Sequence, residues 1–435
     1  MRSFITALLT GLMVLPGEGA SAAPTASAAP ELNEVVTHRR SANLPWSIQS
    51  AQALVDLLET SALDGLSPET YGVKELRHLL SIAETQPERN RRQALDEPFS
   101  RALVRFAADV ARPRDAGVLY VDSAARPRLV NSALLLRRAA QAPSLHAFVA
   151  QMQWMNPVYV ELRQELIAGG GDAKRKRLLR LNMERARSLP RGPGRYILVN
   201  VPSAKLEVRE GNRILESMRV VVGKKEMQTP IMAGMMRYAI LNPFWHVPPD
   251  LTRERIAPRV LKEGRAYLDS KGYEVLSEFS RNPRVLDPMS LNWKAVAAGH
   301  AEAFVRQRPG VQNGMGEIKF MFPNEMGIYL HDTPGKTLFE RDDRLASAGC
   351  VRLEDAGGLA RLLLGDAVVR APSTPEHVIP LSKPVPVYLA YLTAFPERGR
   401  IIERPDVYGK DRELAHAALQ RRARTFSVSL EGSLR

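Results

Sequence analysis

The chain has 435 residues and a single cysteine, Cys350. It can therefore form no internal disulfide and no zinc site with two or more cysteines. Beyond the N-terminus no stretch approaches eighteen uninterrupted apolar residues, which excludes a later membrane-spanning helix. No strong tandem repeat is visible, so a repeat solenoid is not indicated. Acidic residues are outnumbered, 47 against 61 Lys and Arg, leaving a net charge of +14. Such an excess points to a polyanionic partner: nucleic acid, anionic lipid or an anionic wall polymer. Aromatic residues make up only 6%, and few interleave with the scattered basic residues, which weakens the nucleic-acid reading. The densest basic run, Lys174 to Arg195, reads as a solvated helix face followed by a linker.

The length calls for two or three domains, and 45% hydrophobic residues suffice for globular cores. Residues 1–22 read as a signal peptide. Arg2 supplies the positive start, Phe4 to Leu15 a short apolar run, and Ala20-Ser21-Ala22 a small-residue cleavage pattern. The mature protein is then expected in the periplasm, touching the membrane only through that segment; an uncleaved anchor is the alternative. Residues 23–44, rich in Ala, Pro and Ser, read as a flexible leader. From 45 to 190 apolar residues recur at three- and four-residue spacings, as in SIQSAQALVDLLETSAL, predicting a mostly helical domain. The Pro- and Gly-rich stretch Leu189–Gly194 ends it. Short strand-like runs follow from 191 to 396: YILVNV, AKLEVRE, SMRVVVG, YAILNPFW, IKFMFPN, GIYLHD and PVPVYLAYLTA. Residues 250–318 interrupt them with charged, helix-like sequence and are expected to form an inserted lid. Residues 397–435 read as a polar, partly helical tail. The class is multi-domain α+β.

A lone cysteine in an exported protein risks mispairing and oxidation unless the thiol has a use. Its setting is IYLHDTPGKTLFERDDRLASAGCVRLEDA. The stretch reads as a strand ending in His331, a loop, then Ser347-Ala348-Gly349-Cys350-Val351-Arg352 at the mouth of a helix. A thiol, an imidazole and free backbone N–H groups are the parts that cysteine acyl transfer needs. An inert buried cysteine and a structural histidine are the bland alternatives.

The region resembles the YkuD-type L,D-transpeptidases of bacterial cell walls, most of all the YcbB-like subgroup, which adds a helical scaffold domain. The resemblance rests on His331 followed by SAGCVR (347–352). Supporting stretches are YILVNVPSAKLEV (196–208), VVGKKEMQTP (221–230), NPFWHVPPDL (242–251), KFMFPN (319–324), YLHDTP (329–334), VPVYLAYLTA (385–394) and RPDVYGKD (404–411). It is strong over 196–411 and weaker in the helical part. Many YcbB-like proteins carry a separate peptidoglycan-binding module, and none is recognisable here, which leaves open how a glycan strand is held.

The resemblance implies a thioester mechanism without metal or organic cofactor. Cys350 would be the nucleophile and His331 the base. Gly349 and Cys350 would offer N–H groups to the oxyanion. The imidazole would be oriented by a backbone carbonyl, with the Asp332 carboxylate as alternative. A depressed thiol pKa would come from His331 or from the dipole of the following helix. Arg352 is expected to bind a stem carboxylate, or else to shape its loop through a salt bridge to Glu340 or Asp343. Ser347 could orient the histidine or the loop. Tyr329, Asn324 and Phe322 flank the site by sequence, with core packing the alternative for the aromatics. His246 and Trp245 are possible cleft-wall residues. The substrates would be the donor and acceptor stem peptides of peptidoglycan, most simply joined 3→3 between diaminopimelate residues. Linkage 1→3, exchange with a free D-amino acid, or hydrolysis would use the same nucleophile. A wall-binding scaffold without activity is the non-enzymatic alternative. Nucleic-acid binding rests on net charge alone.

Overall fold

The structure, a computed structural model, describes residues 44–114, 116–366 and 374–414. The expected signal segment, the leader up to residue 43 and the tail from 415 lie outside the described residues. No helix among the described residues is long and apolar enough to cross a membrane.

The first part is built from helices α1 (Ile48–Glu59), α2 (Val73–Glu84), α3 (Glu88–Ala111), α4 (Ser132–Gln141), α5 (Leu145–Ala150), α6 (Pro157–Ile167) and α7 (Ala173–Ala186). Short polar side chains set most of the starts. Ser47, Asn131, Ser144, Asn156 and Asp172 each accept a backbone N–H of the first turn, which satisfies one of the orphan donors there. The i, i+3, i+4, i+7 pattern read in the sequence becomes a buried stripe in α1: Ala51, Leu54, Val55 and Leu58. One charge lies deep among these helices. Asp64 takes Nε of Arg163 at 3.0 Å and the Tyr159 hydroxyl at 2.6 Å, with all three side chains buried. A buried pair needs this extra hydrogen bonding to offset its desolvation.

The second part is a β structure. Its strands, with one contributed by the helical part, are β1 (Leu119–Tyr120), β2 (Arg195–Asn200), β3 (Lys205–Glu210), β4 (Arg213–Gly223), β5 (Met232–Leu241), β6 (Trp245–Val247), β7 (Tyr273–Leu276), β8 (Val285–Leu286), β9 (Phe304–Gln307), β10 (Ile318–Met321), β11 (Leu330–His331), β12 (Leu345–Ser347), β13 (Val351–Leu353), β14 (His377–Ala390), β15 (Ala394–Glu397) and β16 (Arg400–Glu403). The pairing order β5-β10-β11-β13-β4-β3-β2-β14 returns to β5, so the sheet closes on itself and leaves few free edges. Its interior is filled by Val199, Leu206, Val220, Phe320, Phe322, Leu330 and Val351.

Three boundaries differ from the sequence reading. β1 belongs to the span read as purely helical, yet it pairs with β5 in the large sheet. The hairpin β15–β16 crosses the expected tail boundary at 397 and packs on α6 and α7. The insertion starts earlier than 250, because Trp245–Val247 already pairs with β9. That insertion has a four-stranded sheet, β6-β9-β7-β8, and its own core around Val247, Ile256, Val260, Leu268, Trp293 and Val305.

The helical part and the closed sheet share one apolar core. Tyr196, Leu198, Ala233, Tyr388, Leu392 and Phe395 from the strands lie in the same cluster as the helix residues. Polar locks cross the same boundary. Asn156 Nδ2 donates to Tyr196 at 3.0 Å, and the Thr393 N–H donates to Asn182 at 2.8 Å.

Candidate active site

Three adjacent strands build the site. In register, Lys319 of β10 faces His331 of β11, and His331 faces Arg352 of β13. Residues directly opposite across a ladder share a face, so the imidazole stands in a row between two cations. Tyr329 and Cys350 precede His331 and Arg352 by two positions, and the Val351 N–H donates to the Tyr329 carbonyl at 3.1 Å. Cys350, His331, Tyr329, Arg352 and Ser347 line one cleft of about 270 Å³. The insertion supplies its other wall through Trp245, Asp250, Leu251 and Arg255. Arg255 sits in a π-helical turn, Thr252–Ile256, an irregularity frequent at functional sites.

Cys350 does not lie at a helix mouth, contrary to the sequence reading. It enters β13, because Arg352 and Leu353 pair with β4. The next helix, Ala356–Leu364, begins later and is capped by Asp355. The helix dipole therefore cannot be invoked for the thiol, since that effect fades within one turn.

The loop around the thiol is held by specific bonds. Ser347 Oγ donates to the Cys350 carbonyl at 2.6 Å and accepts the Gly349 N–H at 3.2 Å. Thr229 Oγ1 donates to the Gly349 carbonyl at 2.7 Å and accepts the Gly223 N–H at 2.8 Å. Gly349 has φ +111°, a conformation that a side chain would strain. Its N–H, expected to serve an oxyanion, is engaged by Ser347 here. The Cys350 N–H has no acceptor among the described residues. The thiol donates to the Gly327 carbonyl at 3.5 Å.

His331 is 2% exposed. Its Nδ1–H donates to the Asp332 carbonyl at 2.5 Å, which leaves Nε2 as the basic nitrogen. The Asp332 carboxylate is committed elsewhere, to the Glu317 N–H at 3.0 Å and to Lys336 at 2.7 Å. Burial, then the nearby Arg352 and Lys319 charges, push the imidazole down to about 3. Burial also pushes the Cys350 thiol up, against the opposing pull of Tyr329 and Lys319. The resting pair is thus a neutral thiol and a neutral imidazole. That arrangement suits proton transfer during attack, not a standing thiolate–imidazolium pair.

Arg352 forms no ion pair among the described residues, with Glu340 and Asp343 included. Its Nε is buried without a partner, and burial followed by the Arg255 charge lowers its pKa. A guanidinium so placed is ready for an anion. Arg352→Lys is expected to raise KM and to lower kcat/KM about tenfold by removing the planar fork. Unchanged kinetics with a tetrapeptide substrate would dispose of that role.

Other sequence candidates lie elsewhere. Phe322 is fully buried in the sheet interior, against Gly234. Asn324 does not line the cleft. It donates to the Phe322 and Ile328 carbonyls, both at 2.7 Å, and so folds the loop that presents Gly327. The His246 ring stacks edge-on against Phe279, outside the cleft lining.

Two residues escaped the sequence reading. One is Arg255. The other is Lys319, whose Nζ lies 4.0 Å from the Tyr329 ring centroid and has no ion-pair partner among the described residues. Burial lowers its pKa, while the charges of Glu376 and Cys350 oppose the shift. A cation there favours the Cys350 thiolate. Lys319→Met is expected to move the midpoint of thiol alkylation to higher pH, and Lys319→Arg to restore most of it. An unmoved alkylation profile in Lys319→Met would rule this out.

Residues 194–379 match the YkuD family model, the L,D-transpeptidase catalytic domain. Residues 39–166 match the scaffold domain model. The chain thus carries a helical scaffold domain followed by a mainly β, YkuD-type L,D-transpeptidase catalytic domain. This pairing of domains is that of the YcbB-like subgroup. A curated protein of Haemophilus influenzae, provisionally named as an L,D-transpeptidase, is 34% identical over 289 residues, covering 63% of this chain and 57% of that protein. The chain thus spans less than two thirds of that relative. Among solved structures, an L,D-transpeptidase from Mycobacterium smegmatis superposes with a TM-score of 0.23 at 10% identity, covering 46% of this chain and 60% of that one. Mycobacterium tuberculosis L,D-transpeptidase 1 gives 0.19 at 10%, covering 46% and 63%. Superpositions this loose carry no argument. Among the described residues no group of His, Cys, Asp and Glu is arranged to hold a metal ion.

Proposed function

We propose that this chain is a peptidoglycan L,D-transpeptidase of the periplasm. The carrying observation is the Cys350 thiol in one cleft with His331, whose Nδ1 is tied to the Asp332 carbonyl, and with Arg352 and Arg255, neither ion-paired among the described residues. Cys350 attacks the carbonyl between diaminopimelate and the terminal D-alanine of a tetrapeptide stem, while its proton passes to His331 Nε2. The C–N bond of the tetrahedral intermediate breaks, and the imidazolium protonates the departing D-alanine amine. A thioester on Cys350 remains. An amine of a second stem then attacks it, losing its proton to His331. The C–S bond breaks and the thiol regains that proton. The side-chain amine of diaminopimelate is the simplest acceptor, which gives a 3→3 link.

Cys350 and Arg352 divide the work. One makes the acyl bond; the other, with Arg255, meets the anionic ends of the stem. Mass spectrometry of tetrapeptide-rich muropeptides incubated with the full chain tests the proposal. A dimer that has lost one D-alanine supports it, and fragmentation separates 3→3 from 1→3. A tripeptide monomer would make it a carboxypeptidase, and D-amino acid incorporation an exchange enzyme. No product at all, together with no acylation of Cys350, would leave a wall-binding scaffold.

A further inference from the structure

A second groove, of about 290 Å³, lies between the 124–131 loop, α4 and β14, and shares no lining residue with the Cys350 cleft. Arg126, Arg128, Arg138 and Arg191 line it. None of the four has a carboxylate partner among the described residues, and no Asp or Glu lines the groove. By contrast, Arg175 on α7 pairs with Glu165 and Glu403, and Arg185 with Asp411. Arg126 lies over the Tyr120 ring, 5.5 Å from its centroid, and two others are anchored by carbonyls. Arg138 donates to the Gln153 carbonyl at 3.1 Å, and Arg191 donates to those of Ala111 and Arg128. Their remaining N–H groups are left for something else.

A second observation points the same way. Trp154 lines the groove and is 3% exposed, and its buried indole N–H has no acceptor among the described residues. A buried donor without an acceptor is costly, so a shift of the ring that gave it one would be favoured. Leu134, 53% exposed, adds an apolar edge. The volume sits at the low end of small-ligand sites, enough for a few residues of extended peptide.

We infer that this groove binds a carboxylate-bearing wall peptide away from the catalytic cleft, and so holds the polymer while chemistry proceeds elsewhere. The inference rests on the wall-enzyme reading above. Forked guanidinium groups meet carboxylates two bonds at a time. The groove would give the helical part its own hold on the polymer beside the catalytic cleft.

The test is co-sedimentation of the full-length Cys350→Ala protein with purified sacculi, so that no turnover is needed. Arg128→Gln/Arg138→Gln in that background is expected to weaken binding about tenfold. Lys174→Gln/Arg177→Gln, which removes equal charge from exposed positions on α7, is expected to leave it unchanged. Melting curves check that both fold. Equal losses in the two doubles would mean charge alone, and no loss in the first would mean no site; either overturns the inference. Binding to anionic vesicles that fails in the first double, with sacculus binding intact, would make the groove a lipid site and also overturn it. Acylation of the unaltered chain by a soluble tetrapeptide is read separately, so failure of the proposed activity is distinguishable.

Discussion

Cys350→Ala is expected to lower D-alanine release from a tetrapeptide stem by at least about 10⁴-fold, as loss of a covalent nucleophile does in other acyl-transfer enzymes. The protein should stay folded, because the residue is only half-buried and the Ser347 hydroxyl bonds its carbonyl, not its sulfur. The same substitution should abolish the mass adduct formed with a carbapenem, whose strained carbonyl acylates a thiol in the same way. A variant that keeps turnover within about tenfold of the parent would show that the thiol is not the nucleophile.

His331 carries the second large effect. His331→Gln is expected to slow acylation by about 10²–10⁴-fold, the range of a lost general base. The parent pH profile should also lack the usual imidazole limb. With His331 held down at about 3, acylation should stay flat on acidification from pH 7 to 5, where an ordinary imidazole would take up a proton. It should rise toward alkaline pH as the elevated thiol ionises. An inflection near pH 6.5 that disappears in His331→Gln would contradict the neutral-pair arrangement. Stability carries the matching signature. Between the ordinary value of 6.5 and about 3 the unfolded chain protonates this imidazole and the folded chain does not. Acid therefore favours unfolding in that window, by about 3 kcal/mol at pH 4, and the deficit stops growing below about pH 3. His331→Gln should lose that part of the acid sensitivity in a series of melts.

The candidate catalytic residues stand out in the sequence because their order along the chain is distinctive: an imidazole closing a short strand, then a serine, a glycine and the lone cysteine. Amphipathic spacing likewise exposed the helices, since α1 packs the residues its period selects. What stayed hidden depends on register between strands far apart in sequence. Lys319 looks like one polar position in a short alternating strand; only the β10–β11–β13 pairing sets it beside His331. Arg255 is one of several arginines in a charged insertion, and its place depends on how that insertion folds over the cleft. Phe322 and Asn324 were assigned to substrate by proximity in sequence. Alternation along β10 sends Phe322 inward, and the tight 324–328 turn consumes the Asn324 side chain. The helix-mouth reading of Cys350 failed because Val351–Leu353 is short enough to be overlooked as a strand, yet it is clamped on both sides by neighbours.

The shared core beneath the helices and the closed sheet has a practical consequence. Tyr196, Tyr388 and Phe395 are buried by helix side chains, so a fragment starting near residue 190 would expose a broad greasy face. Such a fragment is a poor tool for asking what the helices contribute, because it would tend to self-associate. Heat should melt the helical and β regions in one calorimetric transition, with the helical region behaving as half of a single cooperative body and not as an appendage on a hinge.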